Sequence, residues 1–344
     1  MPRFAVAGSL VALLSVGFIS CGGGSGSATE VVDLHGAGAT FPGALYDKWF
    51  KAYVAAHPTV RIDYQPVGSG AGVTQFTNKT VDFGASDAAM TDDEIAKVDR
   101  GVQLLPMTAG SVVLAYNLPD LKSPLRLSRA AYSGIFLGKI AKWNDPAIAA
   151  ANPGVTLPAS NITVVHRADS SGTTFVFTQH LSAISPAWQA GPGTSKAPNW
   201  PTGIGAKGTE GVTAQIKQTP GAIGYVEYGY AQQTGQPMAQ LENKSGAYVT
   251  ASTASSQAAL AGAVLPDNLR LFLPDPDGAA SYPIVTYTWL LLYRQSDKPA
   301  ATEVLKDVIR YCLGDGQSVS ESMGYIPLPP NVVAADLKAL DNVK

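Results

Sequence analysis

"LHGAGATFPGALYDKWFKAYVAAH" (residues 34–57) begins in a Gly-rich turn and runs into a helical pattern. Leu45, Trp49 and Tyr53 recur at four-residue spacing, which lines one helix face for packing on a sheet, and Pro42 suits a first helical position. The aromatic residues of that face are therefore core. Outward along the chain, short apolar or β-branched runs ("RIDYQPV", "VDFGAS", "SVVLAYNL", "NITVVHR", "AIGYVEY", "IVTYTWLLLY") alternate with helical patterns such as "DDEIAKV" and "ATEVLKDVIRYC". The alternation predicts an α/β protein with largely parallel sheets. Thr91 through Glu94 fit a capping box, which starts a helix shortly after Asp87. Pro and Gly crowd the middle of the chain before a strand and a long helix return. Two lobes are expected, joined by strand crossings that can hinge: a discontinuous one of residues 31–112 and 283–344, and a second of residues 113–282.

The 344 residues, 46% hydrophobic and 15% charged, are enough to bury cores in two domains of ordinary size. Lys and Arg number 24 against 26 Asp and Glu, without long runs, which gives no basic face for nucleic acid. Residues 1–20, "MPRFAVAGSLVALLSVGFIS", carry one Arg and then an apolar run, and read as a signal peptide; an uncleaved anchor is the competing reading. Cys21 opens a Gly/Ser tether over residues 21–30 and is expected to be lipid-modified, although Phe18 and Ile19 depart from the usual bacterial lipobox. Cys312 reads as a small buried residue. His35, His57, His166 and His180 are scattered and no CxxC or HExxH motif occurs, so neither a metal nor another cofactor is expected.

The opening turn has two counterparts, "PVGSGAGVTQF" (66–76) and "HRADSSGTTFVF" (166–177). Each follows a strand-like run, consists of Gly, Ser and Thr, and leads into a helical pattern. Helix starts expose unpaired N–H groups at the positive end of the macrodipole, and Gly lets the backbone approach a ligand. Singly, each turn reads more simply as an ordinary capped helix start. Three converging starts would make a site for a compact anion. Arg167 precedes the third turn with a planar fork suited to two oxygens of a tetrahedral anion, and Asp169 is placed to hold that fork; a surface ion pair is the plainer reading. Asp87, at the end of "VDFGAS", is either a solvated turn residue or an acceptor for an anion that still carries a proton. Phosphate carries one at neutral pH and sulfate does not.

These segments, with "PGAIGYVEYGYA" and "IFLGKIAKWNDPAIAAANPGVTLP", resemble in order the periplasmic phosphate-binding proteins of the phosphate-specific ABC importer, the PstS family. The resemblance spans nearly the whole mature chain. It implies a two-lobe type II periplasmic-binding fold with a hinge and an interlobe ligand cleft, which closes on phosphate and delivers it to the membrane permease served by a cytoplasmic ATPase. It also implies the ligand set. Thr40 and Phe41 give N–H groups and Thr40 its hydroxyl, Ser69 gives N–H and hydroxyl, Asp87 accepts the phosphate proton, and Arg167 pairs with its charge. Ser171, Gly172 and Thr173 close the cage, with Asp169 orienting the Arg. Gly70 stands where some relatives have Ser, and Ser170 where they have Gly; neither exchange is expected to remove a ligand contact, although Ser170 can alter the turn. A monomer, tethered outside the cytoplasmic membrane, is expected.

Two alternatives stand beside this reading. A phosphatase-like hydrolase could use Ser86, because "GASDA" approaches the nucleophile-elbow motif, but Ala88 replaces its last Gly and a base (His166 or His180) has to be guessed. A binding protein for another oxyanion, such as arsenate, has the same protonation and similar size on its side.

Overall fold

The structure, a computed structural model, describes residues 31–344. The expected signal peptide, tether and lipidated Cys21 lie outside the described residues. Eight strands build the main sheet: β1 (Val32–Gly38), β2 (Val60–Gln65), β3 (Phe83–Ser86), β4 (Val102–Tyr116), β5 (Thr163–Arg167), β6 (Ile204–Ala206), β7 (Ala222–Glu227) and β8 (Val285–Tyr293). Their spatial order is β2-β1-β3-β8-β4-β7-β5-β6. A small three-stranded sheet (Arg126–Leu127, Gln240–Glu242, Tyr248–Val249) stands apart from it.

The expectation of largely parallel sheets needs correcting. β1 lies parallel to β2 and β3 at one end, and β5 parallel to β6 and β7 at the other, but β8 is antiparallel to β3 and β4, and β4 to β7. The cause is the crossing. β4 pairs with β8 from Val102 to Ser111 and with β7 from Val112 to Tyr116, so it passes from one end of the sheet to the other. The chain returns through β8, and a strand that comes back must run against the one that left. Both crossing strands are buried along their entire length, which explains their nearly unbroken apolar sequence. Their register shifts between Thr288 and Trp289, opposite Pro106, whose missing N–H a regular ladder would not tolerate.

Helices follow the strands: α1 (Gly43–Ala56) after β1, α2 (Ser69–Thr77) after β2, α3 (Asp92–Ile95) after β3, α4 (Gly172–Ile184) after β5, α5 (Gly208–Gln218) after β6, α6 (Tyr228–Gln233) after β7 and α7 (Pro299–Leu313) after β8. The predicted α1 face is buried at Leu45, Trp49 and Tyr53, with Tyr46 and Phe50 beside them, and Trp49 Nε1 donates to Gly316 O at 2.6 Å. Thr91 and Glu94 form the expected capping box at the start of α3. Cys312 lies buried in α7, where burial pushes its thiol pKa up. Among the described residues no helix is long and apolar enough to cross a membrane. The starts of α1, α2, α4 and α5 all lie at the carboxyl ends of parallel strands, the edge of an α/β sheet where ligands bind.

Candidate functional site

Thr40 and Phe41 join β1 to α1, Ser69 is the first residue of α2, and Gly172 and Thr173 open α4. All five are buried. None of their backbone N–H groups meets an acceptor among the described residues. Five buried donors without partners are a large exception to the rule that buried amides are paired, and they belong to three helix starts. The turns are fixed by other bonds. Gly68 N–H donates to Gly38 O at 2.8 Å, tying the first two turns together. Tyr64 donates to Ala39 O at 2.7 Å and Tyr325 to Phe41 O at 2.8 Å.

The third turn comes from the other end of the sheet and meets the first two directly. Gly70 N–H donates to Ser170 O at 2.9 Å, Thr173 Oγ1 to Asp87 Oδ2 at 3.3 Å, and the Thr40 and Thr209 hydroxyls lie 2.8 Å apart. Contact is so close at Gly172 that a Cβ there would stand 2.8 Å from the Asp87 Cβ. The two departures noted in the sequence prove complementary: a side chain on Gly70 would overlap that of Ser170, so a small residue on one wall makes room for the larger one opposite. Further out, Lys196 Nζ and Glu94 Oε1 pair at 2.8 Å, and Arg270 pairs with Asp92 at 2.6 Å.

Arg167 ends β5 and is 4% exposed, so its pair with Asp169 is no surface bridge. Its Nε donates to Asp169 Oδ1 at 2.7 Å and its Nη2 to Oδ2, while Asp169 Oδ1 also accepts the Gly208 N–H at 3.0 Å. Nη1 remains without a partner among the described residues, and the guanidinium is held rigidly behind it. Burial pushes the Asp169 carboxyl up, but the Arg167 bonds and charge and the Gly208 N–H outweigh it and hold it below the usual range.

Asp87 follows β3 and is also buried. Ser69 Oγ accepts its backbone N–H at 3.2 Å, and Thr288 Oγ1 donates to its Oδ1 at 2.9 Å. Burial lifts the carboxyl from 3.8 to about 6, against the Thr288 hydrogen bond, the Arg167 charge and the Thr173 and Ser69 hydroxyls. Ser171 has a narrower role open to it than the resemblance implied for its neighbours. Its N–H donates to Lys196 O at 2.9 Å and its Oγ caps Thr174 N–H at 3.1 Å, leaving the hydroxyl proton as its free donor.

The structure thus brings together Thr40, Phe41, Ser69, Asp87, Arg167, Asp169, Ser171, Gly172 and Thr173. Sequence reasoning missed Thr209, Thr288 and Tyr225, the last of which accepts the Arg167 N–H at 3.0 Å. "IGAKGTEG" (204–211) carries the signal for Thr209, since it is a fourth strand, Gly turn and helix start. Thr288 gives no local signal. Ser86 is not poised as a nucleophile: its hydroxyl donates to Ala88 O at 2.6 Å. His166 bonds to Arg167 O at 3.0 Å, and His180 to Tyr132 at 2.8 Å and Pro274 O at 2.7 Å. Neither ring serves Ser86 as a base.

Comparison with known proteins matches residues 23–315 to a family described as "PBP superfamily domain". The chain is 40% identical over 308 residues to the phosphate-binding protein PstS of Pasteurella multocida, covering 89% of both chains. It is 36% identical over 340 residues to the phosphate-binding protein PstS of Methanocaldococcus jannaschii, covering 92% of this chain and 87% of the relative. Its fold is similar to that of a high-affinity periplasmic phosphate-binding protein (PfluDING) solved with bound phosphate, with a TM-score of 0.73, 22% identity and coverage of 88% of this chain and 92% of the other. That likeness, with the strand order β2-β1-β3-β8-β4, fixes the architecture as the two-lobe type II periplasmic-binding fold.

Proposed function

Because the chain belongs to the PstS family of phosphate-binding proteins, we propose that it captures inorganic phosphate outside the cytoplasmic membrane and delivers it to the permease of an ABC importer. One observation carries the reading to this chain: five buried N–H groups and the Nη1 of a clamped Arg167, none with a partner among the described residues, lie on turns that meet beside the buried carboxyl of Asp87. The donors call for an anion, and the carboxyl calls for an anion with a proton to donate. Phosphate meets both conditions. Hydrogen bonds to a charged partner contribute about 1.5–3 kcal/mol each, so this set can offset desolvation and reach micromolar affinity or better.

Thr40, Phe41, Ser69, Gly172 and Thr173 supply N–H groups, Thr40, Ser69 and Ser171 add hydroxyls, and the Thr173 hydroxyl donates to Asp87. Arg167 balances charge, Asp169 keeps its fork in the plane, and Asp87 takes the phosphate proton. The lobes are assigned to residues 31–112 with 283–344 and to residues 113–282, a division supported by the change of partners on β4 after Ser111 and by the return through β8. Opening at these crossings releases the ligand. The chain acts as a binding protein and not an enzyme, as a monomer held to the membrane through a lipid on Cys21. Arsenate, with similar protonation, is expected to compete.

Isothermal titration of the anion-stripped chain with phosphate tests the reading. One-to-one binding at micromolar affinity or better supports it. Absence of phosphate heat at millimolar concentration would remove it.

A further inference from the structure

We propose that Thr209 is a positioning residue for phosphate binding, acting through Thr40 from across the cleft; the inference rests on the phosphate reading above. Thr209 lies in the first turn of α5, 2% exposed, and its hydroxyl is 2.8 Å from that of Thr40. The two residues are 169 positions apart and come from opposite ends of the sheet. The turn around Thr209 is firmly held. Gly208 N–H donates to Asp169 Oδ1 at 3.0 Å, and Thr213 Oγ1 donates to Thr209 O at 2.7 Å.

Each hydroxyl has one proton to give. The unpartnered N–H groups of Thr40, Phe41 and Ser69 converge on a place that needs an acceptor, so the Thr40 hydroxyl serves the anion only when its own proton points there. Its oxygen must then accept, and Thr209 is the hydroxyl at hand to donate. Thr209 therefore turns the Thr40 proton inward without touching the anion. The same α5 turn secures Asp169, and through it the Arg167 fork, so both the neutral and the charged donors of the cage are adjusted from one helix start. Because the Thr40–Thr209 bond spans the two halves, it exists only while they are in contact. Its contribution falls on release, not on capture.

The test is stopped-flow association and release of inorganic phosphate with the full chain and four variants: Thr209→Val, Thr209→Ser, Thr40→Val and the Thr40→Val/Thr209→Val pair. Thr209→Val is expected to release phosphate about tenfold faster with association unchanged, as loss of one hydrogen bond predicts. Thr209→Ser, which keeps the hydroxyl, is expected to release within about twofold of the wild-type rate. Adding Thr209→Val to Thr40→Val is expected to cost little more, because the oxygen it serves is gone. Wild-type release from Thr209→Val would overturn the inference, and so would Thr209→Ser and Thr209→Val failing alike, since shape and not the hydroxyl would then matter. Wild-type protein that takes no phosphate would overturn the underlying reading as well, and is recognised because every variant then looks the same.

Discussion

Asp87 and Asp169 are two carboxyls of one site, each in a turn at the carboxyl end of a strand and each near Arg167, yet they are driven in opposite directions. Asp169 is held below its usual range because a bidentate guanidinium and a backbone N–H favour its charge. Asp87 is raised to about 6 because burial removes water and only hydroxyls and a more distant charge compensate. The nature of the nearest donor decides what the same side chain is for. A carboxylate locked by a cation orients that cation; one left among hydroxyls remains free to read a proton on the ligand.

The comparison breaks most severely if Arg167 is removed. Arg167→Ala leaves the half-buried Asp169 carboxylate without its partner and takes the guanidinium from the cage. Phosphate affinity is expected to fall by about 3–5 kcal/mol, more than a hundredfold, measured by titration. Lys at this position is expected to restore only part, since it lacks the planar fork.

Asp87→Asn acts on the other member of the pair, and its sign follows from linkage. A raised pKa means that the folded chain keeps this proton to higher pH than the unfolded chain does. At pH 8 the ionised carboxyl therefore costs the phosphate-free fold roughly 3 kcal/mol, given a rise from 3.8 to about 6. The cost shrinks as pH falls through about 6 and is gone below about 4. Denaturant unfolding without phosphate should show Asp87→Asn more stable than wild type at pH 8 and equal to it near pH 4.

Gly70→Ser tests the contact between the second and third turns across the cleft. Overlap with Ser170 is expected to cost about 1–3 kcal/mol of phosphate binding, and Ser170→Gly in the same chain should recover it. The smallest effect is expected from Glu94→Gln, which breaks the partly exposed Lys196 pair. Release should quicken by about 1 kcal/mol or less in the barrier, a difference that fades as salt is raised.

Much of this was open to a reader of the sequence, and the misses have physical causes. The helix starts at Thr40, Ser69 and Ser171 are written in Gly, Ser and Thr after strand-like runs, and Arg167 with Asp169 lies in one such turn. Strand direction was not legible, because a buried crossing strand such as "IVTYTWLLLY" has the same apolar pattern in either orientation. The first half of β4 escaped notice because Pro106 interrupts it, a residue tolerated only where the register shifts. The sequence leaves Asp87 open between a solvated turn residue and an anion's proton acceptor, since the residues that set its environment, Thr173 and Thr288, lie 86 and 201 positions away. Thr209 is legible in the sequence, as the fourth example of the strand, Gly turn and helix start that marks the other three turns.

The most direct test of the account is competition between phosphate and sulfate at pH 8, measured by calorimetry on the anion-stripped chain and on Asp87→Asn. The account predicts that wild type binds phosphate one-to-one and ignores sulfate, while Asp87→Asn admits sulfate because no carboxylate opposes an anion without a proton. Equal selectivity in the two proteins would contradict it.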